Sequence, residues 1–120
     1  MRLYRPVGTK ELELIKQSGY RTFPPRLPEQ PIFYPVLNEQ YATEIAKNWN
    51  AKYNEDHIGY VTEFEIEDAY GAQFEAHVVG AHYHQELWIP AEELAEFNTH
   101  IVGPIKVIRE YTEQGTREDM

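Results

Sequence analysis

The run Gln85-Glu86-Leu87-Trp88-Ile89-Pro90 decides how the chain is read. Alternation along a strand places Glu86 on the same side as Trp88. Pro90, with no N–H to give a ladder, ends the strand. A carboxylate on the buried side of a strand is costly unless something pairs with it or uses it. His82 and His84 alternate onto the same side just upstream. The stretch therefore predicts three titratable groups on one strand face, either as a buried polar cluster or as a site.

The flanking segments predict an α+β domain. Leu3, Tyr4 and Arg5 form a short first strand that Pro6 ends. Thr9 is placed to cap a helix that turns Leu12 and Ile15 inward and stops at Gly19. The five prolines from Pro24 to Pro35 forbid helix over Phe23 to Pro35, leaving an extended loop with a short strand at Ile32-Phe33-Tyr34. Asn38 caps a second helix whose Tyr41, Ala42, Ile45 and Trp49 follow the helical period. Ile58, Tyr60, Thr62, Phe64 and Ile66 alternate as a half-buried strand, and further strands are predicted at Phe74 to Val79 and Tyr83 to Ile89. Pro90 then opens a short helix carrying Leu94 and Phe97 inward. Ile101 to Ile108 closes the sheet, with a bulge or edge at Gly103-Pro104.

At 120 residues, 42% of them hydrophobic, the chain suits one domain over residues 1–111 with a polar, acidic tail at 112–120. Cysteine is absent, which excludes disulfides and thiolate chemistry. No apolar run suits a signal peptide or a membrane span, so a cytoplasmic protein with no membrane partner is expected. The net charge is −9 and the eleven basic residues are scattered, apart from Arg21 and Arg26 near two prolines. Stable binding to duplex nucleic acid needs basic residues massed on one face, and is not expected.

Three strand ends and their order resemble the ADP-ribosyltransferase family. Leu3-Tyr4-Arg5 is similar to that family's first motif. Gly19 to Pro25 followed by Ile32-Phe33-Tyr34 resembles the loop and strand of the poly-ADP-ribose polymerase branch. Tyr41, Ala42 and Ala46 fall where that branch packs its next helix, and Glu86 to Pro90 is similar to the family's glutamate, apolar run and proline. Over Leu3 to Tyr111 the chain looks like short bacterial proteins labelled ADP-ribosylation/crystallin J1. The resemblance implies a small split β-sheet domain with two main helices around a cleft for NAD. NAD would be the substrate there, cleaved at its nicotinamide–ribose bond, with an unspecified acceptor.

By the same resemblance Glu86 is the catalytic carboxylate, Arg5 holds a phosphate or ribose, and Arg21 reaches the adenosine side or the pyrophosphate. Tyr34 stacks on nicotinamide, with Tyr41 and His84 in the cofactor site. Two residues before Glu86, where many arginine-modifying members carry Glu or Gln, this chain has His84. The middle motif also lacks Ser-Thr-Ser.

Two other readings remain open. One is a catalytically inactive module that binds a nucleotide or a protein. The other is a metal site built from His82, His84 and Glu86, with His77 nearby. Alternate residues on one strand stand about 7 Å apart, which strains ligation of a single ion. No metal is expected.

Overall fold

The computed structural model describes residues 1–112 and the backbone of 115–117. Strand β1 (Arg2–Val7) buries Leu3, Arg5 and Val7 and leaves Arg2 exposed. It runs through Pro6 rather than ending before it, pairing Pro6 with Val61 of β3 (Ile58–Ile66). The backbone of Tyr4 exchanges hydrogen bonds with Val36 on the other side. By alternation the missing N–H of Pro6 falls on that same, sparsely paired side, so the ladder to β3 loses nothing.

Helix α1 (Thr9–Gln17) begins after Gly8, not Thr9, and buries Ile15 with Leu12 packed beside it. It ends as the sequence predicts. Gly19 takes φ +76, and the N–H groups of Gly19 and Tyr20 return to the carbonyls of Lys16 and Ile15, closing a Schellman turn.

Asn38 caps α2 (Glu39–Ile45), its side chain accepting from the Tyr41 N–H at 2.8 Å. The helix continues through a π-helical turn (Ala46–Asn50) into α3 (Ala51–Tyr53). Ala42, Ala46 and Ala51 are its buried residues, and the step of five between the last two is the signature of the π-turn. Gly59 of β3 packs against that turn. A Cβ there would stand 2.5 Å from the Ala46 carbonyl oxygen.

The order of the four-stranded sheet is β1-β3-β7-β8, with β7 at Ile101–Thr112 and β8 at Gly115–Arg117. All its pairings are antiparallel. The bulge expected at Gly103-Pro104 is present: Glu63 faces Lys106 and Glu65 faces Val102, so Gly103, Pro104 and Ile105 stand against Phe64 alone. Gly103 takes φ +77. Strand β7 runs on to Thr112 and β8 pairs with Glu110 to Thr112, so the expected tail begins as sheet. Residues 113–114 and 118–120 of that tail lie outside the described residues.

The segment from Phe74 to Ile89 departs most from expectation. It holds only β4 (His77–Val78), a turn, β5 (Gln85–Glu86) and, two residues later, β6 (Ile89–Pro90). Strand β5 pairs with β4 and, through Val36, reaches β1, whereas β6 pairs with β2 (Ile32–Phe33). The chain changes sheets between Glu86 and Ile89, so neither half can lengthen into one strand. Pro90 pairs with Ile32 and then caps the 3-10 turn Ala91–Glu93 that leads into α5 (Leu94–Thr99). A short helix, α4 (Asp68–Gly71), follows β3.

One face of the four-stranded sheet carries the larger core. Phe23, Phe33, Phe64 and Phe97 meet there with ring centroids 4.8–6.1 Å apart, in tilted or edge-on contact. Leu94 and Phe97 of α5 are buried in it, as expected. The opposite face packs Val61 and Tyr111 against the alanines of α2, the π-turn and α3.

Candidate functional site

Arg5 sits between Leu3 and Val7 on the core face of β1, so its guanidinium enters apolar surroundings and lies 4.7 Å over the Phe33 ring. A charge there requires a partner. Glu11 of α1 supplies it with a two-pronged pair, Nε to Oε2 at 2.6 Å and Nη2 to Oε1 at 2.9 Å. The remaining Nη1 leans toward the Tyr34 carbonyl at 3.4 Å. Arg5 therefore pairs with Glu11, and the fork expected to hold a phosphate or ribose is filled by protein.

Glu86 shares a side with Trp88, as alternation predicts, but that side is not the core. Leu87 and Ile89 are the buried residues of the run, with 1% and 0% of their surface exposed, while Trp88 keeps 43%. The expectation of a buried carboxylate is corrected: Glu86 is half-buried at a cleft wall. Its two oxygens are held separately, Oε2 by the Tyr41 hydroxyl at 3.0 Å and Oε1 by the Trp88 indole N–H at 2.8 Å. A carboxylate has room for about four hydrogen bonds, so each oxygen keeps acceptor capacity toward the cleft.

Behind Glu86 stands a supporting layer. Burial and the hydrogen bond to Glu86 push the Tyr41 hydroxyl up to about 12, so it remains a proton donor across the ordinary pH range. His84 stacks on Tyr41 with centroids 4.5 Å apart. The Ala81 N–H donates to His84 Nδ1 at 3.1 Å, which leaves Nε2 to carry the proton and donate to Glu44 at 3.0 Å. The Tyr83 hydroxyl also donates to Glu44 and holds its carboxyl below the usual carboxylate range. His77 lies flat against Trp88, 3.8 Å centroid to centroid.

Glu86 faces a cleft of about 530 Å³ lined also by Arg5, Arg26, Tyr34, Ile45, Trp49 and Trp88, among others. A second cleft of about 630 Å³, between the start of α1 and the loop after α3, shares Arg5, Pro6 and Arg26 with it. The two form one crevice with a pair of guanidinium groups at the junction.

Of the sequence-predicted residues, Arg5, Tyr34 and Glu86 line this cleft, and Tyr41 and His84 stand behind Glu86. Arg21 does not join them. It is exposed on the turn after α1, where the Ser18 hydroxyl takes its backbone N–H. The proposed histidine face also dissolves, because His82 is exposed in the turn and His84 turns toward Glu44. Among the described residues no group of three or more His, Asp or Glu side chains is arranged to hold a metal.

Sequence reasoning missed Glu11, Arg26, Trp49 and Trp88 as site residues. Trp49 follows the period of α2, but Ile45 and Trp49 share the flank that faces the cleft, and Trp49 is 63% exposed. The signal for Arg26 was its place in the long proline-rich loop, since such loops are often functional.

Comparison of the chain with protein-family models, with curated proteins and with solved structures gives no significant match. Among the described residues no helix is long and apolar enough to cross a membrane.

Proposed function

We propose that this protein binds NAD in the cleft at Glu86 and cleaves its nicotinamide–ribose bond, as an ADP-ribosyltransferase or an NAD glycohydrolase with an ADP-ribosyltransferase-like fold. The observation that carries the reading is the mounting of Glu86. It is a carboxylate fixed at both oxygens on a strand end, facing a cleft walled by Tyr34, Trp49 and Trp88 with two guanidinium groups beside it.

The chemistry asks for such a group. The C1′–N bond breaks with its electron pair leaving on the nicotinamide nitrogen, which passes from pyridinium to neutral. Positive charge develops on the ribose ring, the problem glycosidases also face. The Glu86 carboxylate stabilises that charge and accepts a hydrogen bond from a ribose hydroxyl. Because Tyr41 and Trp88 hold it before substrate arrives, little reorganisation opposes the reaction. Water or an acceptor then bonds to C1′ and releases its proton to solvent. Tyr34, Trp49 and Trp88 offer flat surfaces for the nicotinamide ring.

One observation favours a second reading, a nucleotide-binding module without turnover: the Arg5 fork is already filled by Glu11. Release of nicotinamide from NAD separates the two. In the first reading Glu86→Gln lowers turnover by roughly 10²–10³-fold, the scale of losing one preorganised electrostatic contact, and leaves NAD affinity nearly unchanged. Affinity without turnover in the wild-type protein selects the second. Equal turnover in wild type and Glu86→Gln rejects the assignment of Glu86.

A further inference from the structure

The two clefts meet at Arg5 and Arg26, and the two guanidinium groups are not equivalent. Arg5 is saturated by Glu11. Arg26 donates only through Nε, to the Ile32 carbonyl at 3.1 Å, and has no carboxylate partner among the described residues. That single bond fixes the plane of the group and leaves both terminal nitrogens available on the walls of both clefts. Their fork matches two oxygens of a phosphate or diphosphate.

We infer that Arg26 is the anion-binding group of the crevice, taking a phosphate or diphosphate of the ligand at the junction of the two clefts. Arg5 is a positioning residue that ties β1 to α1 beside it. This assignment rests on the NAD reading for the identity of the ligand but not for the chemistry of the site.

The surroundings agree. Arg26 is half-buried, and burial together with the neighbouring Arg5 disfavours its charge, so an arriving anion relieves a cost that the free protein bears. The acidic groups of the outer cleft do not fill the place. Glu11 is spent on Arg5, Asp56 accepts from the Thr9 hydroxyl and the Ile58 N–H, and Glu55 and Asp56 are exposed at the outer cleft. Glu86, on the inner side, is held by Tyr41 and Trp88. A ligand with a diphosphate at the junction therefore reaches aromatic walls on one side and the start of α1 on the other.

The test is calorimetric titration of wild type, Arg26→Gln and Arg26→Lys with inorganic pyrophosphate, ADP-ribose, NAD and nicotinamide riboside, which carries no phosphate. Pyrophosphate and ADP-ribose should bind wild type and lose tenfold or more in Arg26→Gln. Arg26→Lys, which keeps the charge but not the fork, should fall between. Nicotinamide riboside should bind all three alike. If Arg26→Gln does not fold, as judged by its thermal transition, Arg26→Lys alone carries the comparison. Undiminished pyrophosphate and ADP-ribose affinity in both variants, or no wild-type binding of either at millimolar concentration, overturns the assignment. NAD binding that ignores Arg26 overturns it while leaving the NAD reading standing. Arg26-dependent binding of ADP-ribose with no binding of NAD keeps the anion site and removes that reading.

Discussion

Arg5 and Glu11 are a nearly dry ion pair, with side-chain exposures of 10% and 21%. Breaking such a pair leaves a charge stranded in a low-dielectric site. Arg5→Ala should therefore destabilise the domain by on the order of 3 kcal/mol, and Glu11→Ala should do similar damage. The double variant should lose clearly less than the sum. A double-mutant cycle in urea checks this, and additive losses would show that the pair is not coupled. Loss of NAD affinity in Arg5→Ala alone would thus report structure as much as contact. Tyr41 gives a second residue-scale prediction. Its hydroxyl is raised from 10.0 to about 12 in the folded protein, so the fold favours the protonated form. That contribution is complete below pH 10 and is lost as pH rises toward 12. Tyr41→Phe should flatten the fall in stability over that window, measured as the difference between the two alkaline unfolding profiles. Identical slopes would contradict the Tyr41–Glu86 hydrogen bond.

Among the elements, the π-turn and β3 are packed backbone to backbone at Gly59. An alanine Cβ would meet the Ala46 carbonyl oxygen at 2.5 Å and Asn50 Cβ at 2.7 Å, and a carbonyl in a helix cannot step aside cheaply. Gly59→Ala should cost about 2–3 kcal/mol, or roughly 10 °C in thermal midpoint. It should also disturb Trp49, which the π-turn carries to the cleft. A midpoint within a degree or two of wild type would mean that the contact is looser. The elements that the sequence foretold are those with local chemistry: the Asn38 cap, the Gly19 stop, the alternation of β3 and the Gly103 bulge. Those it did not foretell depend on distant partners. Nothing in Gln85 to Pro90 tells that Glu86 will stay with the neighbouring hairpin strand at His77 while Ile89 leaves it for Phe33, because that second partner lies far away in sequence. The same limit governs the site. Glu86 and Tyr34 sit at strand ends and Arg5 on the first strand, so all three could be found by position. Glu11 enters only because a helix returns across β1, and Arg26 because a proline-rich loop folds over the same strand.

The whole molecule is a sheet with a core on each face, and the crevice runs along one margin of the larger core. Phe97 is the keystone there, with rings of Phe33, Phe64 and Tyr70 within 6.1 Å. It links the β2–β6 pair, which carries Phe33, to the four-stranded sheet, which carries Phe64. Phe97→Ala should cost about 3–5 kcal/mol, a large share of the 5–15 kcal/mol typical of a domain. A shift in urea midpoint at unchanged slope checks this, and a loss under 1 kcal/mol would contradict the packing. Both tryptophans of the chain, Trp49 and Trp88, line the inner cleft. The central claim is that this cleft takes NAD, and calorimetric titration of the wild-type protein with NAD tests it most directly. The account predicts saturable one-site binding. No heat of binding up to millimolar NAD would contradict it.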